Sequence, residues 1–323
     1  MFLTRAAAAT VAAFAGGGAV FATGNAIAAG AGTGAGALQL RVVSFNIRYK
    51  NANDARDGNG WDEVRRDAVA ALVRRLAPDI LGTQETLPAQ RRDLEAALPE
   101  YGSAGVGRGA GGAGEQCAVF FKKSRFALCE TRHFWISETP DRPPAADEKP
   151  AWGAAFTRIV TAVRLREKPA GGGAGSGATG GGFWFLNTHF DHISERARVK
   201  AGELVIARLK TFGGGVLPVV LTGDFNCVAG VADSYKTLTG AGAFLDTWTL
   251  ARERRNAGYN TFQAFSRTPR RRGRRIDWVL ARPADGAPAP RVAATEIVIE
   301  KRPDGGFPSD HFPLLADLSF PAK

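Results

Sequence analysis

Apolar residues recur along this chain with two periods, and their alternation outlines a layered α/β structure. The segment Leu38–Ile47, LQLRVVSFNI, crowds its apolar residues as a buried strand does. A polar loop, NANDARDGNGWD, follows it. VRRDAVAALVRRLAP then places Val64, Ala68, Leu72 and Leu76 at helical spacing, and Pro78 closes that helix. DILGTQE is a short strand ending in polar residues, and LPAQRRDLEAAL is a second helix. YGSAGVGRG and EQCAVFFKK pair as a hairpin over the glycine-rich link 109–114. AFTRIVTAVRLRE and FWFLNTHF are two further strands, ERARVKAGELVIARLKTF is helical, and LPVVLTGDFN is a buried strand with a polar end. RRIDWVLARP, ATEIVIEKR and HFPLLADLSF supply the late strands. Helices and strands alternate early, whereas consecutive strands dominate the middle and end. That order suits an α/β (α+β) fold of two packed sheets flanked by helices better than a doubly wound parallel sheet. No repeat of fixed period is present.

Two segments fall outside this pattern. KPAGGGAGSGATGGG joins two middle strands; no Gly-Lys-Ser/Thr follows and no helix opens there, so it reads as a flexible hairpin insertion rather than a phosphate loop. At the N-terminus Arg5 is followed by an uncharged run from Ala6 to Gln39, and Ala26-Ile27-Ala28 fits a small-x-small cleavage site. Residues 1–28 therefore read as a secretory signal peptide and 29–38 as a flexible lead-in, with residues 39–323 forming one catalytic domain. The expected location is secreted or periplasmic. The run is mostly Ala and Gly, too weakly apolar to favour a membrane anchor.

Composition adds little about fold: 45% hydrophobic and 23% charged residues describe a globular chain, not a disordered one. The net charge of +11 favours anionic partners such as nucleic acid, phosphate esters or an anionic membrane surface. Most of the imbalance lies between Arg252 and Arg282, where ten arginines face Glu253 and Asp277 alone. The three cysteines include no CxxC pair, so neither a zinc knuckle nor a disulfide scaffold is supported, and buried free thiols are the default.

Candidate chemistry sits where strands end. Polar residues close strand signals at Asn46, Glu85, His189, Asp224 with Asn226, Asp277, and Asp310 with His311. Each alone reads as a turn former, a cap or a satisfied histidine. Together they offer oxygen ligands for a hard cation, Mg²⁺, Mn²⁺ or Ca²⁺, and an imidazole that a carboxylate could orient as a general base. The chain has four histidines, and two of them, His189 and His311, fall in these motifs.

The motifs SFNIR, GTQE, NTHFDH, LTGDFN, RRIDWVL and FPSDHFPLLADL resemble, in order, those of the endonuclease/exonuclease/phosphatase superfamily over residues 40–320. The resemblance implies a four-layer α/β/β/α sandwich of two packed mixed β-sheets flanked by helices. It implies a divalent-metal-dependent phosphoric ester hydrolase working by in-line attack of water. By motif, Glu85 would be the main metal ligand, with Asn46 and Asp310 supporting the metal site. His311 would be the general base, held by Asp277. Asp224 would bind or activate the nucleophile or assist the leaving oxygen, and Asn226 and His189 would donate to the phosphoryl oxygens.

RYKNANDARDGNGWDEVRRD, GEQCAVFFKK, FWISETPD, GAAFTRIVTAVRL, Asp191-His192 and Arg198 resemble a less characterised, bacterial-type branch, in which Trp61, Arg65, Trp135, Trp152 and Arg158 fall in recurring patterns. Arg158 and Trp152 are candidate substrate-binding residues; the other reading of the tryptophans is core or loop packing. The run TPRRRGRRID departs from that branch, and its position before Asp277 places Arg270, Arg271 and Arg272 near the cleft rim, where they suit a polyanion. The expected partner is a phosphate-ester substrate, nucleic acid among the candidates, and the chain is expected to be a monomer with no stable protein partner. The expected activity is that of a phosphodiesterase or nuclease. The alternatives are a phosphomonoesterase acting on sugar or inositol phosphates and a sphingomyelinase-like enzyme cleaving phospholipid headgroups. A silent binding protein of this fold would need a lost catalytic residue, and none is missing.

Overall fold

A computed structural model describes residues 37–169, 182–213 and 215–322. The expected signal peptide, nearly all of the lead-in and most of the glycine-rich insertion lie outside the described residues.

The chain runs β1 (Leu38–Asn46), α1 (Ala52–Arg56), a π-helical turn Trp61–Arg65 continuing into α2 (Arg66–Leu76), β2 (Ile80–Thr86), α3 (Pro88–Ala97), β3 (Tyr101–Ala104) and β4 (Gln116–Lys122). Next come β5 (Phe126–Trp135), β6 (Ile159–Glu167), β7 (Phe183–His189), α4 (Glu195–Leu209), β8 (Val219–Asp224) and α5 (Asp233–Thr239). The last elements are β9 (Leu245–Asp246), α6 (Thr247–Leu250), β10 (Glu253–Arg255), β11 (Asp277–Arg282), β12 (Arg291–Ile297) and β13 (Leu314–Phe320). Among the described residues the strands form two mixed sheets, ordered β10-β12-β13-β1-β2-β4-β3 and β5-β6-β7-β8-β11-β9. The pairs β1·β2 and β7·β8 are parallel, while β1·β13 and β8·β11 are antiparallel.

Side-chain alternation builds the layers. Along β1, Leu38, Leu40 and Val42 join a buried cluster that also holds Phe183 and Phe185 of β7, Val220 of β8 and Val279 of β11, so this cluster lies between the sheets. The opposite row, Val43 and Phe45, packs with Val69, Leu72, Val73 and Leu76 of α2 and Leu94 of α3. On the other sheet Leu186, Leu221 and Leu280 pack with Ala201 and Val205 of α4 and Leu238 of α5. The result is the expected four-layer sandwich.

Several short elements are absent from the sequence pattern, α1 inside the segment read as a polar loop and β9, α6 and β10 before the arginine run; two others, β5 and α5, show why. β5 is unpredicted because its middle, Glu130–His133, is polar; it is the edge strand of its sheet, with much of its length exposed. α5 is short and has two buried residues, Ser234 and Leu238, too few to register as a helical period.

Candidate active site

The row of each strand that faces the other sheet is apolar until its end and then turns polar. β1 ends in Asn46, β7 in Asn187 and His189, β8 in Thr222 and Asp224, and β11 begins with Asp277. Period-two alternation thus delivers these side chains to one mouth of the inter-sheet layer. Strand register aligns them further: His189 is opposite Asp224 across β7·β8, and Asp277 is opposite Asp224 across β8·β11. Just beneath, Asn187 joins the sheets, accepting from Gln84 Nε2 at 2.7 Å and donating to the Thr83 and Ala118 carbonyls at 2.8 and 2.9 Å. Gly82 makes this close approach possible, because a Cβ there would meet Thr222 Oγ1 at 2.3 Å.

Glu85 breaks the alternation. Two residues inward from it, Thr83 faces the opposite way from Gln84 and Gly82, and simple pleating would send Glu85 to the helix side with it. A register irregularity between Thr83 and Thr86, with φ of +59° at Glu85, turns the carboxylate back toward the site. Arg48 and Asn226 also hold positive φ, at +56° and +53°. Left-handed backbone at three non-glycine residues around one cleft is the strain pattern of a functional site. Asn46 bridges two carboxylates there, donating from Nδ2 to Glu85 Oε1 and to Asp224 Oδ2, each at 3.0 Å, while its Oδ1 accepts from the Arg48 N–H.

The segment before β13 brings in the rest. Ser309 Oγ donates to the Asn46 carbonyl at 2.7 Å, and the Asp310 carbonyl accepts from the N–H groups of Gln263 and Ala264. His311 Nδ1 lies 3.0 Å from Asp277 Oδ2, and its Nε2 faces Asp224 Oδ2 at 3.6 Å. His189 Nε2 lies 2.8 Å from Asn226 Nδ2 and 3.5 Å from Asp224 Oδ2. Arg48 spans the outer acids, 3.9 Å from Glu85 and 3.8 Å from Asp310.

The two histidines are opposite in charge tendency. Burial, then the charges of Arg158 and Arg108, holds His189 well below its ordinary value and favours its neutral form. Burial works against the His311 imidazolium as well, yet Asp277 and Asp224 outweigh it and raise His311 well above that value. Asp224 is pushed up to about 7, first by burial and then by Asp277, against the opposing charge of His311. Asp310 is raised by burial and by Glu85, again against His311. These carboxylates are short of positive charge. The sets Glu85, His189, Asp224 and Asp224, Asp277, His311 each bring ligand atoms within 4.8 Å of one another. Oxygen donors in this number suit a hard divalent cation.

Comparison with known proteins agrees with this geometry. The model of the endonuclease/exonuclease/phosphatase family matches residues 43–311. The chain belongs to that family. Among solved structures, a family protein of Bacteroides thetaiotaomicron is 32% identical with a TM-score of 0.76, covering 88% of this chain and 98% of that one. A mannosyl-6-phosphatase of the same organism is 33% identical with a TM-score of 0.75, covering 87% and 100%. A family protein of Bacteroides vulgatus is 34% identical with a TM-score of 0.75, covering 88% and 99%. No curated protein sequence matches the chain. As a family member the chain is a phosphoester hydrolase, and the family depends on a divalent metal.

Within this family member, the eight polar residues read from the strand ends lie at one cleft. Trp61 does not: it is buried against α2, and its Nε1 donates to Asp93 at 2.8 Å. Trp152 packs against the helix side of the second sheet. The arginine run divides. Arg275 is buried and paired with Asp246 at 2.8 Å, whereas Arg270, Arg271 and Arg272 are exposed. Their loop is anchored beside the site, since Thr261 Oγ1 accepts from the Asp277 N–H and the Thr261 carbonyl from the Phe312 N–H. Three cleft residues escaped the sequence reading: Arg48, Arg108 and Glu115. Arg48 stands two positions after Asn46 and could have been suspected from the SFNIR motif; Arg108 and Glu115 border a glycine-rich link with no pattern. Cys117 and Cys227 are buried free thiols, while Cys129 is exposed. Among the described residues no helix is long and apolar enough to cross a membrane.

Proposed function

We propose that this chain hydrolyses phosphate esters by direct attack of a water that His311 deprotonates, beside a divalent cation held by Glu85 and Asp310. The observation that carries this reading is the Asp277–His311–Asp224 line, with His311 Nδ1 at 3.0 Å from Asp277 and Nε2 turned to the cleft. Asp277 accepts a hydrogen bond from Nδ1–H and so leaves the unprotonated Nε2 as the base. Asp224, close to both imidazoles, orients the water. Asn226 donates to His189 Nε2, so the neutral His189 carries its proton on Nδ1, a buried atom without a partner among the described residues. That N–H serves the phosphoryl oxygens as charge develops on them, while the Asn226 amide spends its two N–H groups on His189 Nε2 and the Phe190 carbonyl and holds the ring in place, a positioning part rather than the donor its motif implies. Asn46 keeps Glu85 and Asp224 at fixed separation. When bound, Mg²⁺, Mn²⁺ or Ca²⁺ supplies a Lewis acid to the phosphoryl and leaving oxygens.

The similarity to a mannosyl-6-phosphatase over almost the whole chain supports a phosphorylated sugar as substrate, ahead of nucleic acid. A nucleic-acid reading is favoured by Arg270, Arg271 and Arg272, exposed on a loop anchored at the site. The test is turnover of mannose 6-phosphate and of plasmid DNA after treatment with EDTA and again after Mg²⁺ or Mn²⁺ is restored. Phosphate release from the sugar that disappears with chelation and returns with metal is the expected outcome. DNA cleavage that is faster, and that weakens when the three arginines become Gln, would select the nuclease reading. Metal-independent turnover, or none on any phosphate ester, would sink the proposal.

A further inference from the structure

Next to Glu85 and His189 is a small pocket lined by Arg108, Glu115, Gln116, Cys117, Arg158 and Ile159. Arg158 is 4% exposed, yet its Nε and Nη1 have no hydrogen-bond partner among the described residues. Its Nη2 meets His192 Nδ1 at 3.3 Å. The carboxylate of Asp191 stands 3.9 Å away and is already taken, accepting from the N–H groups of Ala155, Ile193 and Ser194 at 2.9, 2.9 and 2.8 Å. Arg108 differs: it is paired with Glu115 at 2.7 Å. So does Arg65, the other deeply buried arginine of this region, which donates to the carbonyls of Ile47, Arg48, Tyr49 and Asn59. Arg275 and Arg302 are buried and leave one nitrogen unpaired too, but each donates directly to a carboxylate, whereas Arg158 has two unpaired nitrogens and no hydrogen bond to a carboxylate, a costly arrangement for a buried charge. Arg158 is instead held in place, with Phe156 over it at 6.0 Å, and left open toward the site.

We propose that Arg158 is a specificity-determining residue that binds the third unesterified oxygen of a terminal phosphate, so that the site takes phosphomonoesters in preference to diesters. The inference rests on the phosphoester-hydrolase reading above. A monoester presents three non-bridging oxygens and a diester two. His189, held by Asn226, and the Glu85 side of the cleft account for two. The third faces the pocket beside His189, where the unpaired Nη1 of Arg158 meets it, its Nε and Nη2 edge being turned to Asp191 and His192. In a diester that oxygen carries carbon, which would press against the buried guanidinium and the walls formed by Gln116, Cys117 and Ile159. The second negative charge of the monoester also matches the positive charge that Asp191 leaves uncovered.

The experiment compares p-nitrophenyl phosphate with methyl p-nitrophenyl phosphate, which share a leaving group, in the full chain with Mg²⁺. Arg158→Gln should lower kcat/KM for the monoester roughly 10- to 100-fold more than for the diester, the scale of a lost charged hydrogen bond. Binding of inorganic phosphate, measured by calorimetry, should weaken by a similar factor. Arg158→Lys, which keeps the charge without the fork, should recover part of both, and it carries the comparison if the Gln variant does not fold. Equal losses on the two esters with unchanged phosphate binding would overturn the proposal. If the wild-type chain hydrolyses neither ester, the hydrolase reading falls, and the phosphate titration then decides the role of Arg158 separately.

Discussion

Replacing His311 with Gln should lower kcat/KM on a phosphate ester by roughly 10²- to 10⁴-fold, the usual worth of a general base. Gln is the informative choice. Asp277 is fully buried, and its Oδ1 already lacks a partner among the described residues. Alanine at 311 would leave the other oxygen of Asp277 bare as well and would cost stability, about 3–5 kcal/mol for a broken buried pair. A Gln amide can still donate to Asp277 but cannot accept a proton from water. Thermal unfolding should therefore stay close to wild type while turnover collapses. The pH profile gives a second signature. Asp277 and Asp224 raise His311 above its ordinary value, so the basic form accumulates, and the rate climbs, as pH increases. That climb should flatten in His311→Gln. Turnover within a few-fold of wild type, with the acidic limb intact, would remove His311 from the role of base.

Glu85→Gln should weaken Mn²⁺ binding on the order of 100-fold, since hard-cation affinity follows the number of carboxylate charges. The substitution keeps size and shape. It thus spares the left-handed backbone at this residue and the contact with Asn46, whose Nδ2 can donate to an amide oxygen as well. Calorimetric titration of Mn²⁺ reads the loss without reference to turnover, and activity should return in part at high Mn²⁺. Unchanged Mn²⁺ affinity in this variant would place the cation elsewhere in the cleft, for instance among Asp224, Asp277 and His311.

Much of this cleft was legible in the sequence for one physical reason. Asn46, His189 and Asp224 lie on the same row of their strands as the apolar residues before them, and Asp277 on that of the apolar residues after it, so alternation alone sends them to the inter-sheet mouth. Glu85 was legible from its motif and not from alternation, which points it to the wrong face until the backbone reverses at that residue. Arg108 and Glu115 come from loops whose paths depend on sheets already assembled, and no local pattern marks them. The arginine run shows the converse limit. In sequence it is one basic segment, but the fold buries Arg275 against Asp246 and exposes Arg270, Arg271 and Arg272. Tryptophans carried even less information: Trp61 fits a core position and a cleft position equally well until α2 is seen to cover it. β5 escaped because an edge strand has no need of an apolar middle.

Direct attack by water inverts the configuration at phosphorus, whereas a covalent phosphoenzyme, with two displacements, retains it. The decisive measurement is the stereochemical course, read by phosphorus NMR, for hydrolysis of a phosphorothioate monoester made chiral at phosphorus with oxygen isotopes. Inversion is the result predicted for a His311-activated water in this site, and retention would contradict it.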